Sequence, residues 1–266
     1  MKLRKSGWYK VAFIQANIYS SVLNLDVGLN VILPQSSERL VRNKKDDVPV
    51  LYLLHGMGGN ETAWMRRSSI ERYVRESEIA VIMPTTELGF YTDTSYGMNY
   101  WTFIAEELPA ILQELFPQLT KKREKTFAAG LSMGGYGAIK LGLRCPDKFA
   151  AVASLSGALA LASDPEVLLQ SGSQQYWEGV FGPVEKMQGS ENDPIHLLTT
   201  LAPEVAPKLF VCCGTEDFLY TSNQYFVEKA QAAGFTVTYE EGPGAHTWDF
   251  WDKWIQKVLD WLPVEI

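Results

Sequence analysis

The chain has 266 residues, 46% hydrophobic and 21% charged: long enough to bury a sizeable core, with a globular composition and not a disordered one. A net charge of −7, with no basic run longer than Lys121-Lys122-Arg123, argues against nucleic acid or an anionic membrane surface as a partner. No apolar run approaches the length of a membrane span.

Residues 1–20 carry basic side chains and then alternate polar with apolar. They show neither an apolar h-region nor a small-residue cleavage site, and read as a strand. Three cysteines, Cys145, Cys212 and Cys213, make no disulfide framework; they read as buried thiols of a reducing compartment, and a cytoplasmic location follows. Two β-rich runs open the chain, 8–19 and 22–33. In the second, Leu23, Leu25, Val27, Leu29 and Val31 alternate with Asn24, Asp26, Gly28 and Asn30, the period of a half-buried strand. The charged, proline-bounded segment 36–49 reads as a loop. From there strand, loop and helix repeat: strands at 50–54, 79–83, 125–129, 149–155, 208–213 and 236–240, helices near 68–77, 101–116, 132–143, 222–234 and 248–262. Short apolar strands alternating with amphipathic helices predict an α/β protein. Its central sheet is mostly parallel, with antiparallel N-terminal strands and helices on both faces. Nothing marks a second domain in 1–266; the segment 157–207 is the longest excursion between strands and is expected to cover one end of the sheet.

Residues 130–134 read Gly-Leu-Ser-Met-Gly between a strand pattern and a helix pattern. This is the strand–turn–helix that lifts a nucleophilic serine above a sheet, and it selects Ser132. A serine nucleophile needs a base, a group that orients the base, and donors for the oxyanion. Of the three histidines, His246 lies between the last strand and the last helix, where the order Ser, acid, His requires the base. His196, within the excursion, reads as a packed or capping helix residue. The acid is expected after strand 208–213, where Glu216 and Asp217 are neighbours; Asp217 is favoured because the shorter side chain is readily fixed by local backbone hydrogen bonds. Asp249 and Asp252 fall in the first turn of the last helix and are expected to complement its dipole. His55-Gly-Met-Gly-Gly59 follows strand 50–54, so the backbone amides of Met57 and Met133 are the expected oxyanion donors. Ser132, Asp217, His246 and Met57 thus each follow the carboxyl end of a predicted strand, and in a parallel sheet those ends share one edge.

Aromatic residues crowd the same edge. Phe90, Tyr91, Tyr96, Tyr100 and Trp101 follow strand 79–83, and Trp177, Phe218, Tyr220 and Trp248 come from other loops. Tyr91, Trp101, Trp177, Phe218 and Trp248 are taken as candidate substrate-binding residues, against the competing reading that they pack long loops. No amphipathic lid stands out, so an interfacially activated lipase is not expected.

The segments LYLLHGMGGNETAW, GFYTDTSYGMNYW, AEELP, REKTFAAGLSMGGYGAIKLGL, YWEGVFG, CCGTEDFLY and GAHTWDFWDKW resemble the tributyrin-type and acetyl esterases of the esterase D group. The resemblance runs over nearly the whole chain. It implies an α/β-hydrolase fold and a serine carboxylesterase for short-chain acyl esters, working through an acyl-enzyme. It implies a small-molecule ester as partner and no cofactor or metal, and carries the nucleophile to Ser132, the acid to Asp217 and the base to His246. Such esterases often assemble as homo-oligomers, dimers or tetramers. The group includes S-formylglutathione hydrolases and feruloyl or acetylxylan esterases. The formylglutathione enzymes carry histidines flanking the nucleophile motif, where this chain has Leu131 and Tyr136. Thioester hydrolysis and acyl transfer on the same triad are the alternatives.

Overall fold

The computed structural model describes residues 10–35 and 47–264. Residues 8 and 9 of the first predicted strand, and 36–46 of the predicted loop, lie outside it. The strands are β1 (Lys10–Ser20), β2 (Leu25–Gln35), β3 (Val50–Leu54), β4 (Ala80–Pro84), β5 (Thr126–Leu131), β6 (Ala151–Leu155), β7 (Lys208–Gly214) and β8 (Val237–Gly242). They pair in the order β1-β2-β4-β3-β5-β6-β7-β8. The β1–β2 and β2–β4 ladders are antiparallel and the rest parallel, as the sequence pattern predicts.

The helices are α1 (Ala63–Arg67), α2 (Ile70–Tyr73), α3 (Tyr100–Thr102), α4 (Leu108–Leu115), α5 (Met133–Arg144), α6 (Pro165–Ser171), α7 (Gln174–Phe181), α8 (Pro194–Thr200), α9 (Tyr220–Ala232) and α10 (Trp248–Trp261). Alternate residues of each inner strand serve two layers. Tyr52, Leu54, Ala128, Val152 and Val211 pack with Tyr136 and Ile139 of α5 and Phe226 of α9. Leu51, Leu53, Phe127, Ala129 and Phe210 pack with Trp254, Ile255 and Val258 of α10. Burial on both faces is why these strands read as continuous apolar runs.

Three elements depart from their predicted form, each for a local reason. The predicted alternation in β2 fails at both ends: Leu25 is exposed like Asp26, and along Leu29–Ile32, where β4 pairs with the strand, both faces are covered and Asn30 is buried with its amide donating to Glu61 O at 3.1 Å. The helix predicted at 68–77 begins only at Ile70 and is preceded by α1, which the sequence pattern does not predict and which ends at Ser68, whose backbone is extended. Its hydroxyl donates to Trp64 O at 2.6 Å and accepts from Ile70 N at 3.3 Å, competing with helical bonding. The helix predicted at 101–116 passes through a π turn at Phe103–Glu107. Pro109 has no N–H for Ala105 O, and the freed carbonyl takes a hydrogen bond from Lys148 Nζ at 2.9 Å.

The excursion carries α6, α7 and α8 and is fastened to the 88–96 loop. Tyr176 Oη donates to Leu88 O at 2.7 Å, and Tyr96 N and Ser95 N donate to Gly179 O and Val180 O.

Candidate active site

Ser132 sits between β5 and α5 with φ 53° and ψ −117°, a region that non-glycine residues rarely occupy and that costs about 1–3 kcal/mol. The surroundings leave the turn no alternative. Ser132 N donates to Leu155 O at 2.9 Å, and its carbonyl accepts from Tyr136 N at 3.0 Å. A Cβ on Gly130 would collide with the Gly134 carbonyl, and one on Gly134 with the carbonyls of Leu54 and His55. The glycines are therefore demanded by close backbone approach between β5, α5 and the end of β3.

The hydroxyl raised by this turn meets the imidazole expected there. Ser132 Oγ lies 2.9 Å from His246 Nε2, and His246 Nδ1 lies 2.9 and 3.1 Å from the two carboxylate oxygens of Asp217. The Asp217 side chain is fully buried, and its Oδ1 also accepts from Leu219 N at 2.9 Å. That local bond is the reason a short acid suits this turn. The carboxylate fixes Nδ1 as the protonated nitrogen and leaves Nε2 free to accept from the serine. Phe218 and Trp251 hold the ring from two sides, at 4.7 and 4.8 Å between centroids.

Glu216, the neighbouring candidate, plays a different part. Its carboxylate accepts from Gly244 N and from the Thr215 hydroxyl, and these bonds, the Gly244 one foremost, hold it below the usual carboxylate range. Thr215 N and Glu216 N in turn donate to Gly242 O and Gly244 O. The acid loop and the histidine loop are thus stitched together, and Glu216 ties down the segment that delivers His246.

The loop after β3 is a type II turn. Gly59 N donates to Gly56 O at 3.0 Å and Gly58 takes φ +74°, which places Met57 at the first central position with its N–H pointing out of the turn. Gly56 lies so close to Ser132 that a Cβ there would sit 3.4 Å from the serine Cβ. His55 braces the loop from beneath: Nδ1 donates to Gly56 O at 2.8 Å and Nε2 accepts from Thr86 N at 3.1 Å. Its burial pushes the imidazole pKa down to about 4, so it serves as a neutral strut. Met133 N is the first amide of α5 and has no carbonyl one turn earlier within the helix. The two amides named from the sequence therefore flank Ser132 and are unused by their own turns.

A cavity of about 390 Å³ opens over Ser132. Its walls include Met57, Phe90, Leu131, Ala158, Leu161, Phe218, Leu219, Trp248 and Trp251, with Arg66 and Arg67 of α1. Of the aromatic candidates, Phe218 and Trp248 line it. Tyr91, Trp101 and Trp177 do not, because the protein uses their rings internally. Tyr91 is buried and donates to His55 O at 2.9 Å. Trp101 packs under the Arg144 guanidinium, 4.0 Å from the ring centroid. Trp177 donates to Leu168 O and backs Phe90 edge-to-face at 4.9 Å. His196 lies in α8, away from the cavity. Asp252 departs from its predicted dipole role: it accepts from Ser69 N and Tyr73 Oη at 2.9 Å each and ties α10 to α2.

The cavity wall has a support that sequence reasoning missed. Lys140, fully buried on α5, donates from Nζ to Tyr91 O, Thr92 Oγ1 and Asn192 Oδ1 at 3.0, 2.8 and 2.6 Å. Burial draws its pKa well below the usual lysine range, while three acceptors satisfy all three N–H groups of an ammonium. The bonds hold the turn at Phe90 and Tyr91, whose φ values are 47° and 49°. Only helical spacing after Ser132 could have signalled that this lysine points inward.

The fold is of the α/β-hydrolase class. Residues 20–262 match the Esterase family, described as "Putative esterase". The chain is 34% identical over 262 residues to an acetyl esterase of Caldicellulosiruptor saccharolyticus, covering 95% of this chain and 98% of the relative. Among solved structures it is similar to the substrate-bound fluorophosphonate-binding serine hydrolase F of Staphylococcus aureus, with TM-score 0.88 and 34% identity, covering 96% and 99% of the two chains. It is also similar to the S-formylglutathione hydrolase of Staphylococcus aureus, with TM-score 0.86 and 35% identity, covering 95% and 99%. The chain belongs to the Esterase family and is a carboxylic ester hydrolase. Among the described residues, no helix is long and apolar enough to cross a membrane.

Proposed function

We propose that the protein is a serine carboxylesterase acting on short-chain acyl esters through Ser132, His246 and Asp217. The observation that carries this reading is the continuous hydrogen-bond chain from Asp217 through His246 to Ser132 Oγ at the base of the cavity. His246 Nε2 takes the serine proton as Oγ attacks the ester carbonyl, and Asp217 stabilises the imidazolium. The N–H groups of Met57 and Met133 hold the oxyanion, and His246 then protonates the leaving oxygen. Water repeats the attack on the acyl-enzyme. Short acyl groups fit because Phe90 closes the wall and is itself backed by Tyr136, Trp177 and Phe181 at 4.9–5.7 Å. Free thiols at Cys145, Cys212 and Cys213 support a cytoplasmic location.

Thioester hydrolysis is the second reading, favoured by the 35% identity to a formylglutathione hydrolase over almost all of both chains. The test is hydrolysis of p-nitrophenyl esters from acetate to decanoate, alongside S-formylglutathione, by wild type and Ser132→Ala. Turnover peaking at the shortest acyl chains and falling about 10⁶-fold in kcat in the variant is the expected result. A strong preference for the thioester moves the protein to the second reading. Folded Ser132→Ala that keeps ordinary activity refutes both.

A further inference from the structure

The cavity straddles the sheet edge, and its two ends differ in chemistry. Phe90, Ala158, Leu161 and Leu219 belong to the core layer on the α5 side and form an apolar end. Trp251 belongs to the layer on the α10 side, and next to it Trp248, Arg66 and Arg67 form the other end. Among the described residues no carboxylate lines the cavity, because Asp217 is sealed behind the imidazole. Two guanidiniums without a carboxylate are a pronounced local reversal in a chain of net charge −7. The ion pairs among the described residues all involve other groups. Among the described residues Arg66 makes a single, long side-chain contact, to the Thr62 hydroxyl at 3.4 Å, and Arg67 lies 5.9 Å from the Trp248 ring centroid.

The cationic end is also the leaving-group end. His246 must hand its proton to the departing oxygen or sulfur, so that half of the substrate lies beyond the imidazole. On the side of the imidazole opposite Phe218, Trp251 lies 4.8 Å from the His246 ring, Trp248 lies 5.4 Å from Trp251, and Arg67 lies against Trp248. We propose that the natural substrate is an ester or thioester whose leaving group carries an anionic group, a carboxylate or a phosphate, received by Arg66 and Arg67. The proposal rests on the serine-esterase reading and names the substrate class of that site. A guanidinium presents a planar fork that matches either anion, and a cationic mouth in an acidic protein also concentrates anionic ligands there.

The experiment compares 3-(4-acetoxyphenyl)propanoate, its phosphonate analogue and its neutral N-methyl amide. The two-carbon spacer keeps the reacting phenyl ester alike in all three. Wild type at about 20 mM salt is expected to show a kcat/KM about tenfold higher for an anionic probe than for the amide, with the preference shrinking as salt screens the charges. Preference for one anion over the other identifies which the site receives. In Arg66→Gln/Arg67→Gln the ratio is expected to fall to one or below. A wild-type ratio of one at low salt overturns the proposal, and so does a ratio that survives both substitutions. The salt series needs no variant, so it decides even if the double variant fails to fold. Absence of Ser132-dependent turnover of all three probes takes down the esterase reading itself, a result distinct from equal turnover.

Discussion

Replacing Asp217 by Asn exchanges one carboxylate oxygen for an NH₂ group and, by the geometry of this site, inverts the base. Asp217 Oδ1 accepts from Leu219 N at 2.9 Å, so the oxygen of the new amide side chain must keep that position. The amide nitrogen then occupies the place of Oδ2, 2.9 Å from His246 Nδ1, and donates to it. Nδ1 becomes an acceptor, the proton moves to Nε2, and Nε2–H now points at Ser132 Oγ across 2.9 Å. A nitrogen that already carries the proton cannot take one from the serine. Loss of a correctly protonated base by the equivalent change in a serine protease lowers kcat by about 10⁴, or about 5–6 kcal/mol of barrier. The same loss is expected here, with KM and melting temperature close to wild type, because shape and packing are preserved. Glu216→Gln is the control. It weakens the stitch to Gly244 but leaves the proton on Nδ1, so kcat is expected to fall less than about tenfold. The assay is steady-state hydrolysis of p-nitrophenyl acetate with matched thermal melts. Asp217→Asn retaining more than a tenth of wild-type kcat refutes the tautomer argument; equal losses in the two variants refute the assignment of the acid.

Strain, burial and charge supply the other tests. Ser132→Gly relieves the positive-φ turn that Ser132→Ala keeps, so both are inactive but the glycine variant is expected to be more stable by about 1 kcal/mol in urea unfolding; equal stabilities would mean the turn is unstrained. Lys140→Met strips three acceptors, two of them buried, of their donor and is expected to cost about 3 kcal/mol and to loosen the Phe90 wall, extending turnover to longer acyl chains. An unchanged melt would show that desolvating the ammonium costs as much as its bonds contribute. His55 is expected to stay neutral until about pH 4, read from its ring ¹⁵N shifts. The unfolded state gains this proton near pH 6.5 and the folded state only near 4, so the contribution is complete above 6.5. About 3 kcal/mol of it is lost as pH falls to 4. Titration of His55 near 6.5 would remove this source of acid sensitivity.

The proposed catalytic positions are legible in sequence because each is imposed by backbone. Gly130 and Gly134 mark Ser132 because no Cβ fits between β5, α5 and the end of β3. Asp217 and His246 follow from strand ends, since parallel strands bring their carboxyl termini to one edge whatever the loops contain. The cavity walls lack any such constraint. Phe90 and Tyr91 are adjacent, both at positive φ; one ring faces the cavity and the other donates beneath it to His55 O. Neither helical nor strand periodicity assigns faces in a turn of that kind. Arg66 and Arg67 escape sequence reasoning for a related reason: periodicity starts the helix at residue 68, whereas Ser68 ends one helix and its hydroxyl starts the next. Chemistry in this molecule is set by glycines and strand ends, which leave a trace in sequence. Substrate choice is set by side-chain directions in irregular segments, which leave almost none. The charge of the leaving group is therefore the property for which the structure adds most to the sequence, because it depends on where two arginines of a five-residue helix point.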